Sequence, residues 1–473
     1  MTQAQALDIL KLGENVFLTG APGAGKTYLL NEYIRYLQSH NVEVATTAYT
    51  GIAASHLSGR TLHSWAGLSF GIITPEQERE RIHANEFLKA RICDAKVLII
   101  DEISMLHPAE FDRVDFICKT ARGSVEPFGG LQLICTGDFF QIPPVQKGDM
   151  AGAEGDISSE GEQFVIDCNA WKSARMRTCY LHEQHRQGDP QLLGILDEIR
   201  AGHVGSESLA LLKSRLHAPV AAPIGIARLY THNENVDEIN GAELQKLSPP
   251  EVVYDVAERG AAKFIEKLKK DNKVDLLALR KGSRVMFTRN NRGMGYANGT
   301  LGEVVDFVNV EDEEASEPLP VVLTFDRRRI LVTREAWELE EDGKVRASVR
   351  QMPLKLAWAI TVHKSQGMTL DAAEIDLSRA FDRGMGYVAL SRVKRLENIS
   401  LLGLNELALQ VSPRIKKLDA DFWEQSAQTE KYLASFDAMN HGGLIRAQNE
   451  FLEKVQLENN DEEAEDDFHY EFE

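Results

Sequence analysis

Short apolar segments recur along the chain, separated by longer stretches of mixed polar and apolar positions. NVFLTG, VEVATTAYT, KVLIIDE and LQLICTGD in the first part, and ARLYTHN and ISLLGL later, have the length and near-continuous apolar character of strands buried in a parallel sheet. After Lys26, apolar side chains recur at three- and four-residue spacing, which predicts a helix packed on that sheet: Leu29, Leu30, Tyr33, Ile34 and Leu37. The repeated alternation of strand and helix predicts an α/β fold.

The pattern changes between residues 283 and 350, where short β-rich pieces are separated by Gly, Asn, Asp and Pro turns. The pieces are SRVMFTR, LGEVVDFV, PVVLTF and RILVT. Several short strands with turn signals between them predict a small β-barrel insertion in the later part of the chain.

The end of the chain is acidic. Residues 458–473 include nine Asp and Glu residues and no Lys or Arg. Such a segment buries too little apolar surface to fold by itself, so we predict a solvated, disordered tail. The alternative is an interaction tail that recruits a protein partner.

Length and composition limit the class of protein. With 473 residues, 43% of them hydrophobic and 26% charged, the chain is too long for one hydrophobic core, and we expect two to four domains. No run approaches the roughly 18 uninterrupted apolar residues of a membrane span, and the first residues lack a signal-peptide pattern, so we expect a cytoplasmic protein without a membrane partner. The five cysteines form no CxxC pair, which predicts free, buried thiols.

The formal net charge of -19 disfavours a broadly basic surface of the kind that attracts nucleic acid. The acidic tail accounts for nine of these charges, and residues 1–457 are still acidic. A nucleic-acid channel on this chain would therefore have to be locally basic, or rely on backbone amides and base stacking.

A phosphate-binding loop stands between the first apolar strand and the amphipathic helix. The segment matches GxxxxGK[ST] in the strand-to-helix setting that the motif requires, which makes a ligand-free glycine turn improbable. Backbone N–H groups would cradle phosphate, Lys26 would reach the β- and γ-phosphates of ATP, and Thr27 would offer a hydroxyl to Mg²⁺. The predicted nucleotide-binding residues of this loop are Gly20, Ala21, Pro22, Gly23, Ala24, Gly25, Lys26 and Thr27.

Two carboxylates follow the apolar strand Val97–Ile100. Asp101 is predicted to hold Mg²⁺, directly or through water, and Glu102 to position and deprotonate the attacking water. An acidic pair at a helix start is the alternative for an isolated Asp-Glu, but the phosphate-binding loop upstream favours the catalytic interpretation.

These pieces occur in a series with TAYTGIAASHLSGRTLHSWAGL, GDFFQIPPV, LHEQHRQGDP, ITVHKSQGMTL and YVALSRV. In this order they resemble the helicase motifs of the Pif (petite integration frequency) family, in the RecD-related branch of helicase superfamily one. The resemblance runs from about Gln3 to about Leu404. It implies two RecA-like domains, 1–175 and 176–410, with a wedge insertion near 66–90 in the first and an SH3-like β-barrel near 283–350 in the second. Residues 411–457 are then expected to form a C-terminal helical segment.

The same resemblance implies roles for residues that the patterns alone leave open. Gln3 would read adenine, and Gln141 would sense the γ-phosphate and the attacking water. Arg186 and Arg392 would be arginine fingers that complete the site across an interdomain cleft, since a bidentate guanidinium stabilises charge on a transferring phosphoryl group. The implied cofactors are ATP and Mg²⁺.

A set of residues is implied to bind single-stranded DNA, through hydroxyls, amides and a lysine that contact phosphates and rings that stack on bases. The set is Thr47, Thr50, Gly51, His63, Ser64, Phe139, His363, Lys364 and Thr369. The function implied is a monomeric, ATP-dependent DNA helicase, moving 5′ to 3′ and unwinding tailed or forked duplex DNA in replication, recombination or repair. A translocase that does not unwind, and a regulatory ATPase that recruits a partner, are the alternatives.

Overall fold

The computed structural model describes most of the chain. The described residues are 1–68, 74–143, 163–183, 189–220, 227–272, 274–291, 293–296, 298–309, 317–324, 327–341, 344–439 and 442–469. The chain forms two compact units. Unit 1 comprises Met1–Lys213, Ala380–Leu396 and Asn405–Glu473, and unit 2 comprises Ser214–Arg379 and Glu397–Leu404.

The first segment of unit 1 alternates strands and helices, as the apolar pattern predicts. Its strands are β1 (Val16–Gly20), β2 (Val44–Ala48), β3 (Arg60–Thr61), β4 (Val97–Asp101), β5 (Gln132–Gly137) and β6 (Arg177–Leu181). Its helices are α1 (Gln3–Lys11), α2 (Lys26–Ser39), α3 (Gly51–His56), α4 (Leu62–Ala66), α5 (Pro75–His83), α6 (Glu86–Asp94), α7 (Pro108–Arg122), α8 (Asn169–Ala174), α9 (Pro190–Ala201) and α10 (Ser206–Ser214).

The six strands form one sheet in the order β3-β2-β4-β5-β1-β6, and all the pairs are parallel. Every residue of β1, β4 and β5 is buried, which explains why these strands are apolar throughout. Strand β6 belongs to this sheet, so unit 1 extends beyond residue 175, where the sequence placed a domain boundary.

The helix predicted after Lys26 is α2, and the five apolar residues predicted to face the sheet are all buried. They join one hydrophobic core with α1 and the central strands. Helices α5 and α6 occupy most of the predicted wedge region, residues 66–90. Glu78 of α5 is buried and pairs with Arg113 of α7 at 2.6 Å, which ties α5 to the helix beneath it.

Unit 2 contains four sheets among the residues that the structure describes. Its helices are α11 (Asn233–Lys246) and α12 (Ala262–Asn272). Its strands are β7 (Ala227–Tyr230), β8 (Val252–Tyr254), β9 (Ala257–Gly260), β10 (Leu277–Leu279), β11 (Arg284–Phe287), β12 (Leu301–Val308), β13 (Leu319–Thr324), β14 (Arg329–Leu331), β15 (Glu335–Glu341), β16 (Lys344–Gln351), β17 (Leu354–Leu356), β18 (Ala359–Thr361), β19 (Ala373–Leu377) and β20 (Ile399–Leu404).

A parallel sheet in the order β18-β7-β19-β20 forms the α/β part of unit 2. The predicted β-rich insertion corresponds to an antiparallel sheet, β14-β13-β12-β11-β17, which shares an apolar core with the antiparallel pair β8-β10. Strands β15 and β16 lie within the predicted insertion but pair with β9 in a separate sheet. The SH3-like character of the insertion stays a prediction.

The chain returns to unit 1 as α13 (Met385–Ser391) and then forms two long helices, α14 (Pro413–Met439) and α15 (Gly443–His469). Helix α14 covers the edge strand β6: Ser426 Oγ accepts a hydrogen bond from the Tyr180 backbone at 3.0 Å, and Trp423 stacks on the Tyr180 ring. Leu433 of α14 and Leu452 of α15 join the core around α1. The predicted C-terminal helical segment is thus two helices that complete unit 1.

The acidic tail differs from the expectation of disorder from residue 458. Helix α15 continues to His469, and the last four residues lie outside the described part. Because the tail extends a helix that already packs on unit 1, it does not have to form a new helical nucleus. Its Glu and Ala residues also favour the helical conformation.

No described helix is both long and apolar enough to cross a membrane. The five cysteines are all free, and four of them are buried, which confirms the thiol prediction.

We predict that Leu452→Ala lowers the free energy of unfolding of unit 1 by about 2–4 kcal/mol, because Leu452 is 7% exposed within the core that α15 shares with α1. Ile445→Ala, on the same helix but 63% exposed, is the matched control and should change stability little. Denaturant unfolding of both variants measures the difference. Equal stability of the two variants would show that α15 does not contribute to the core.

Candidate functional site

The phosphate-binding loop leaves the sheet at the end of β1 and enters α2 at Lys26. Gly23 and Gly25 have φ angles of 89° and 84°, a left-handed conformation that glycine adopts without strain. The loop therefore turns its backbone sharply into the start of α2, where the N–H groups of the first helical turn lack helical partners. The site has the shape and polarity of an anion cradle.

Lys26 lies across this loop. Its Nζ donates to the Gly20 carbonyl at 2.7 Å and to the Ala21 carbonyl at 3.2 Å. Burial lowers the pKa of Lys26, whereas the carboxylates of Asp138, Glu102 and Asp101 raise it. A lysine that donates to two carbonyls of the phosphate-binding loop is well placed to bind the oxygens of a phosphate.

Asp101 and Glu102 stand at the end of β4, at the same sheet edge. The backbone N–H of Glu102 donates to Asp101 Oδ1 at 2.8 Å. Burial, together with the neighbouring Glu102 charge, raises the pKa of Asp101. Glu102 has a φ of 55°, a left-handed conformation that costs energy for a side chain with a Cβ and that occurs often at functional sites.

Gln3 brings the start of α1 to the phosphate-binding loop. Its Nε2 donates to the Ala24 carbonyl at 3.2 Å, and its backbone N–H donates to Glu183 Oε2 at 3.1 Å. Thr2 caps α1 through a capping box with Gln5, which fixes where the helix begins. The side chain of Gln3 thus contacts the phosphate-binding loop, and its role in reading adenine stays a prediction.

Gln141 lies in the turn that follows β5, and the backbone N–H of Gln141 donates to the Asp138 carbonyl at 3.1 Å. Its amide oxygen is buried and accepts no hydrogen bond from any residue that the structure describes. A buried polar atom without a partner costs free energy unless a water or a ligand supplies one. The amide oxygen of Gln141 is therefore available to accept a hydrogen bond from the attacking water, the role that the family resemblance implies for this residue.

Of the two predicted arginine fingers, Arg186 lies outside the described residues. Arg392 follows α13 and is 2% exposed. It lies in unit 1, which also contains Lys26, and this differs from the expectation of a finger that reaches the site from the second domain. Its Nε donates to the Val388 carbonyl at 2.9 Å and its Nη2 to Ser391 Oγ at 2.8 Å, so the guanidinium lies back on its own helix. Engagement with a phosphate would require the side chain to turn away from these partners.

Sequence reasoning missed a buried charge network beside this site. Arg200 of α9 donates to both carboxylate oxygens of Asp138 at 2.9 Å and to the Tyr387 hydroxyl at 2.7 Å. Asp138 stands in the GDFFQ segment, in which Phe139 and Gln141 were assigned roles but Asp138 was not. No local pattern marks Arg200 or Tyr387, because an isolated arginine on a helix is far more often a surface residue.

Several predicted DNA-binding residues of unit 1 gather after β2, near the same sheet edge. Thr50 caps α3 by accepting a hydrogen bond from the Ala53 backbone at 3.2 Å, and Gly51 begins that helix. On α4, His63 lies 3.2 Å from Glu110, and Ser64 is exposed. Thr47 is fully buried and donates to the Ile99 carbonyl at 2.7 Å, so its hydroxyl is engaged within the sheet.

Phe139 has a core position. It is 3% exposed and packs against four aromatic residues, Phe17, Phe164, Trp171 and Phe422. The sequence cannot distinguish such a ring from one that stacks on a base, because both need an aromatic residue at the end of a strand. Stacking on DNA would require the ring to leave this cluster.

Unit 2 carries the other three DNA-binding candidates, which follow β18. His363 and Lys364 form a short 3-10 turn, and Thr369 is exposed. Burial lowers the pKa of His363, which favours the neutral ring. Gln366, beside them, was not singled out from the sequence, yet both amide atoms of its side chain are buried without a partner among the described residues.

Comparisons with known proteins identify the family. A family model for PIF1-like helicases matches residues 2–206. The ATP-dependent DNA helicase Pif1 of Psychrobacter sp. (strain PRwf-1) is 42% identical, over 91% of this chain and 72% of that protein. The chain belongs to the PIF1-like helicase family. The human member, ATP-dependent DNA helicase PIF1, is 33% identical over 87% of this chain, which spans 62% of that protein's length.

Solved structures of the PIF1-like family share the fold. Pif1 helicase from Candida albicans superposes with a TM-score of 0.79 at 32% identity, over 89% of this chain and 98% of the other. Pif1 helicase from Bacteroides, in complex with ADP-AlF3 and single-stranded DNA, gives a TM-score of 0.71 at 30% identity, over 90% and 97% of the two chains. Each unit of this chain contains a parallel sheet. Together with the similarity to these relatives, this confirms the predicted fold class of two RecA-like domains.

We predict that Lys26→Ala weakens binding of a fluorescent ATP analogue at least about tenfold, because the charge-assisted bonds from Nζ to phosphate are lost. The melting temperature should not change, since Nζ contacts two loop carbonyls and no core residue. Lys172→Ala, an exposed lysine on α8 of the same unit, serves as the control. Wild-type nucleotide affinity in Lys26→Ala would contradict the assignment of the phosphate site.

Proposed function

We propose that this chain is an ATP-dependent DNA helicase that moves 5′ to 3′ along single-stranded DNA and separates tailed or forked duplexes. The observation that carries the proposal is the convergence of Lys26, the Asp101–Glu102 pair and Gln141 at one edge of three neighbouring strands, β4, β5 and β1. The relatives support the rest: they are called ATP-dependent DNA helicases, and one was solved with single-stranded DNA.

Each residue of the site has a task in ATP hydrolysis. The loop amides and Lys26 bind the phosphates, and Gln3 orients the adenine from the start of α1. Glu102 accepts the proton of the attacking water, and Gln141 orients that water through its buried amide oxygen. Arg392 and Arg186 stabilise charge on the transferring phosphoryl group when they reach it.

The donors present fit Mg²⁺. Thr27 offers a hydroxyl and Asp101 a carboxylate, which are hard oxygen ligands of the type that this ion prefers. Among the described residues, no three His, Cys, Asp or Glu side chains are arranged to hold a metal ion by themselves, so the remaining ligands would be phosphate oxygens and water. When bound, Mg²⁺ neutralises charge on the phosphates, as it does throughout this class of enzyme.

DNA binding is proposed for the hydroxyl, amide and imidazole groups near Thr50 and His63 in unit 1, and near His363 and Lys364 in unit 2. These polar groups and one lysine suit an acidic protein, because they contact the backbone without a broadly basic surface. A monomeric state, a cytoplasmic location, a protein partner for the acidic end of α15, and roles in repair or recombination remain parts of this proposal.

The test is ATP hydrolysis with and without single-stranded DNA, followed by strand separation on duplexes with a 5′ or a 3′ tail. Stimulation by DNA and unwinding of only the 5′-tailed duplex would support the proposal. Stimulation without unwinding would leave a translocase that moves along single strands or displaces proteins. Hydrolysis indifferent to DNA would leave a regulatory ATPase.

We predict that Glu102→Gln slows ATP hydrolysis by ~10²-fold or more, because the amide cannot accept the proton of the attacking water. Affinity for ATP should stay near that of the wild type, since the phosphate contacts of Lys26 remain. Single-turnover hydrolysis and equilibrium binding separate the two effects. An equal loss of binding would argue against a general-base role.

We also predict that Arg392→Ala slows hydrolysis by something like 10³-fold, the scale of an arginine finger, while ATP still binds. DNA should then fail to stimulate the residual turnover. Arg414→Ala, which removes an arginine of unit 1 that pairs with Asp167, is the control. DNA-stimulated turnover at the wild-type rate in Arg392→Ala would exclude the finger role.

A further inference from the structure

Arg200 forms the centre of a buried polar network in unit 1. Besides Asp138 and Tyr387, its guanidinium donates to the Tyr180 hydroxyl at 2.6 Å and lies 4.1 Å from the centre of the Phe140 ring. The Tyr387 hydroxyl in turn donates to Asp138 Oδ2 at 3.0 Å. A guanidinium that donates to three side chains and lies over the rings of Phe140 and Tyr387 holds its neighbours in one geometry.

One side of this network fixes the turn that carries Gln141. Asp138 Oδ1 accepts a hydrogen bond from the Phe140 backbone at 3.2 Å, and the Asp138 carbonyl accepts one from the Gln141 backbone at 3.1 Å. The network therefore begins at the turn that carries Gln141.

The other side fixes the helix that leads to Arg392. Tyr387 stands on α13, one and a half turns before Arg392. Gly384, which precedes α13 with a φ of 83°, packs directly on the Phe140–Gln141 backbone: a Cβ at Gly384 would lie 2.8 Å from the Phe140 carbonyl oxygen. The Gln141 turn and the start of α13 are thus joined by a hydrogen-bonded pair and by a close backbone approach.

We propose that Arg200 is a positioning residue: through Asp138 and Tyr387 it couples the position of the Gln141 turn to that of the helix that ends at Arg392. A displacement of Gln141 by the γ-phosphate then moves α13 with it, because packed elements joined by a buried ion pair shift together and do not deform separately. The inference rests on the proposed function, since it concerns the positions of Gln141 and Arg392, to which that function assigns roles in ATP hydrolysis.

The alternative is that the network only stabilises unit 1. A buried arginine and aspartate cannot lose a partner without cost, so stability alone would account for their presence. The two explanations differ in one respect. A stabilising network affects the melting temperature, whereas a coupling network also changes the maximal hydrolysis rate without changing nucleotide affinity.

The test is Tyr387→Phe, which removes one hydroxyl and keeps the ring. We expect kcat with single-stranded DNA to fall about tenfold, which corresponds to the usual size of coupling energies. The dissociation constant of a fluorescent ATP analogue should change less than about twofold, because no phosphate contact is lost.

Tyr33→Phe is the matched control. Tyr33 is an equally buried tyrosine of unit 1 whose hydroxyl donates to Gln132 at 2.8 Å, and it has no part in the network. It should lower the melting temperature as Tyr387→Phe does and keep the DNA-stimulated kcat within about twofold of the wild type. A DNA-stimulated kcat in Tyr387→Phe equal to that of Tyr33→Phe would overturn the inference.

Arg200→Lys provides a second measurement, since lysine keeps the charge opposite Asp138 but loses the bond to Tyr180. We expect Arg200→Lys to lower the DNA-stimulated kcat as much as Tyr387→Phe does. The double variant should have a kcat no lower than that of the more impaired single variant, because the two residues act as a unit. Fully additive losses would overturn the coupling. Wild-type protein without any DNA stimulation would instead refute the proposed function, and this inference with it.

Discussion

Three neighbouring strands, β4, β5 and β1, pair in parallel in a register that ends them at one edge of the sheet. Thr19 pairs with Gly137 and Ile100 with Cys135, so the chain leaves each strand at nearly the same height. The phosphate-binding loop, the Asp101–Glu102 pair and the Gln141 turn all begin there. A slip of one residue in any pair would turn buried side chains outward and separate groups that must act on one nucleotide.

That edge concentrates charge in a low-dielectric setting. Lys26 lies among three carboxylates, and the pKa values of Lys26 and Asp101 move in the directions that reduce their charge. A bound nucleotide and its divalent cation would reverse this, since phosphates favour the charged lysine and a cation favours the charged aspartate. The net charge of -19 says little about this site, because its chemistry depends on a few groups within several ångströms of one another.

The C-terminal helices solve a different physical problem. Strand β6 is the edge of the unit 1 sheet, and an exposed edge strand is a template for pairing with other chains. Helix α14 covers it with a stacked Trp423 and with Ser426, whose Oγ accepts a hydrogen bond from the Tyr180 backbone, and α15 adds Leu452 to the core beneath α1. Helix α1 carries Gln3, so the packing of the C-terminal helices also supports the nucleotide site.

Local sequence patterns were sufficient to predict the α/β class, the strands around the site, the phosphate-binding loop and the acidic pair. Each of these depends on local physics: the apolar period of a strand or helix, the glycines that allow a left-handed turn, and carboxylates next to a strand end. The order of motifs also predicted the family.

Which rings are core and which polar groups meet depends instead on tertiary contacts. Phe139 joins an aromatic cluster assembled from distant segments, and Arg200 finds Asp138 and Tyr387 across intervals of 62 and 187 residues. Such contacts have no local signature, because burial and pairing at long sequence separation depend on how the whole chain packs.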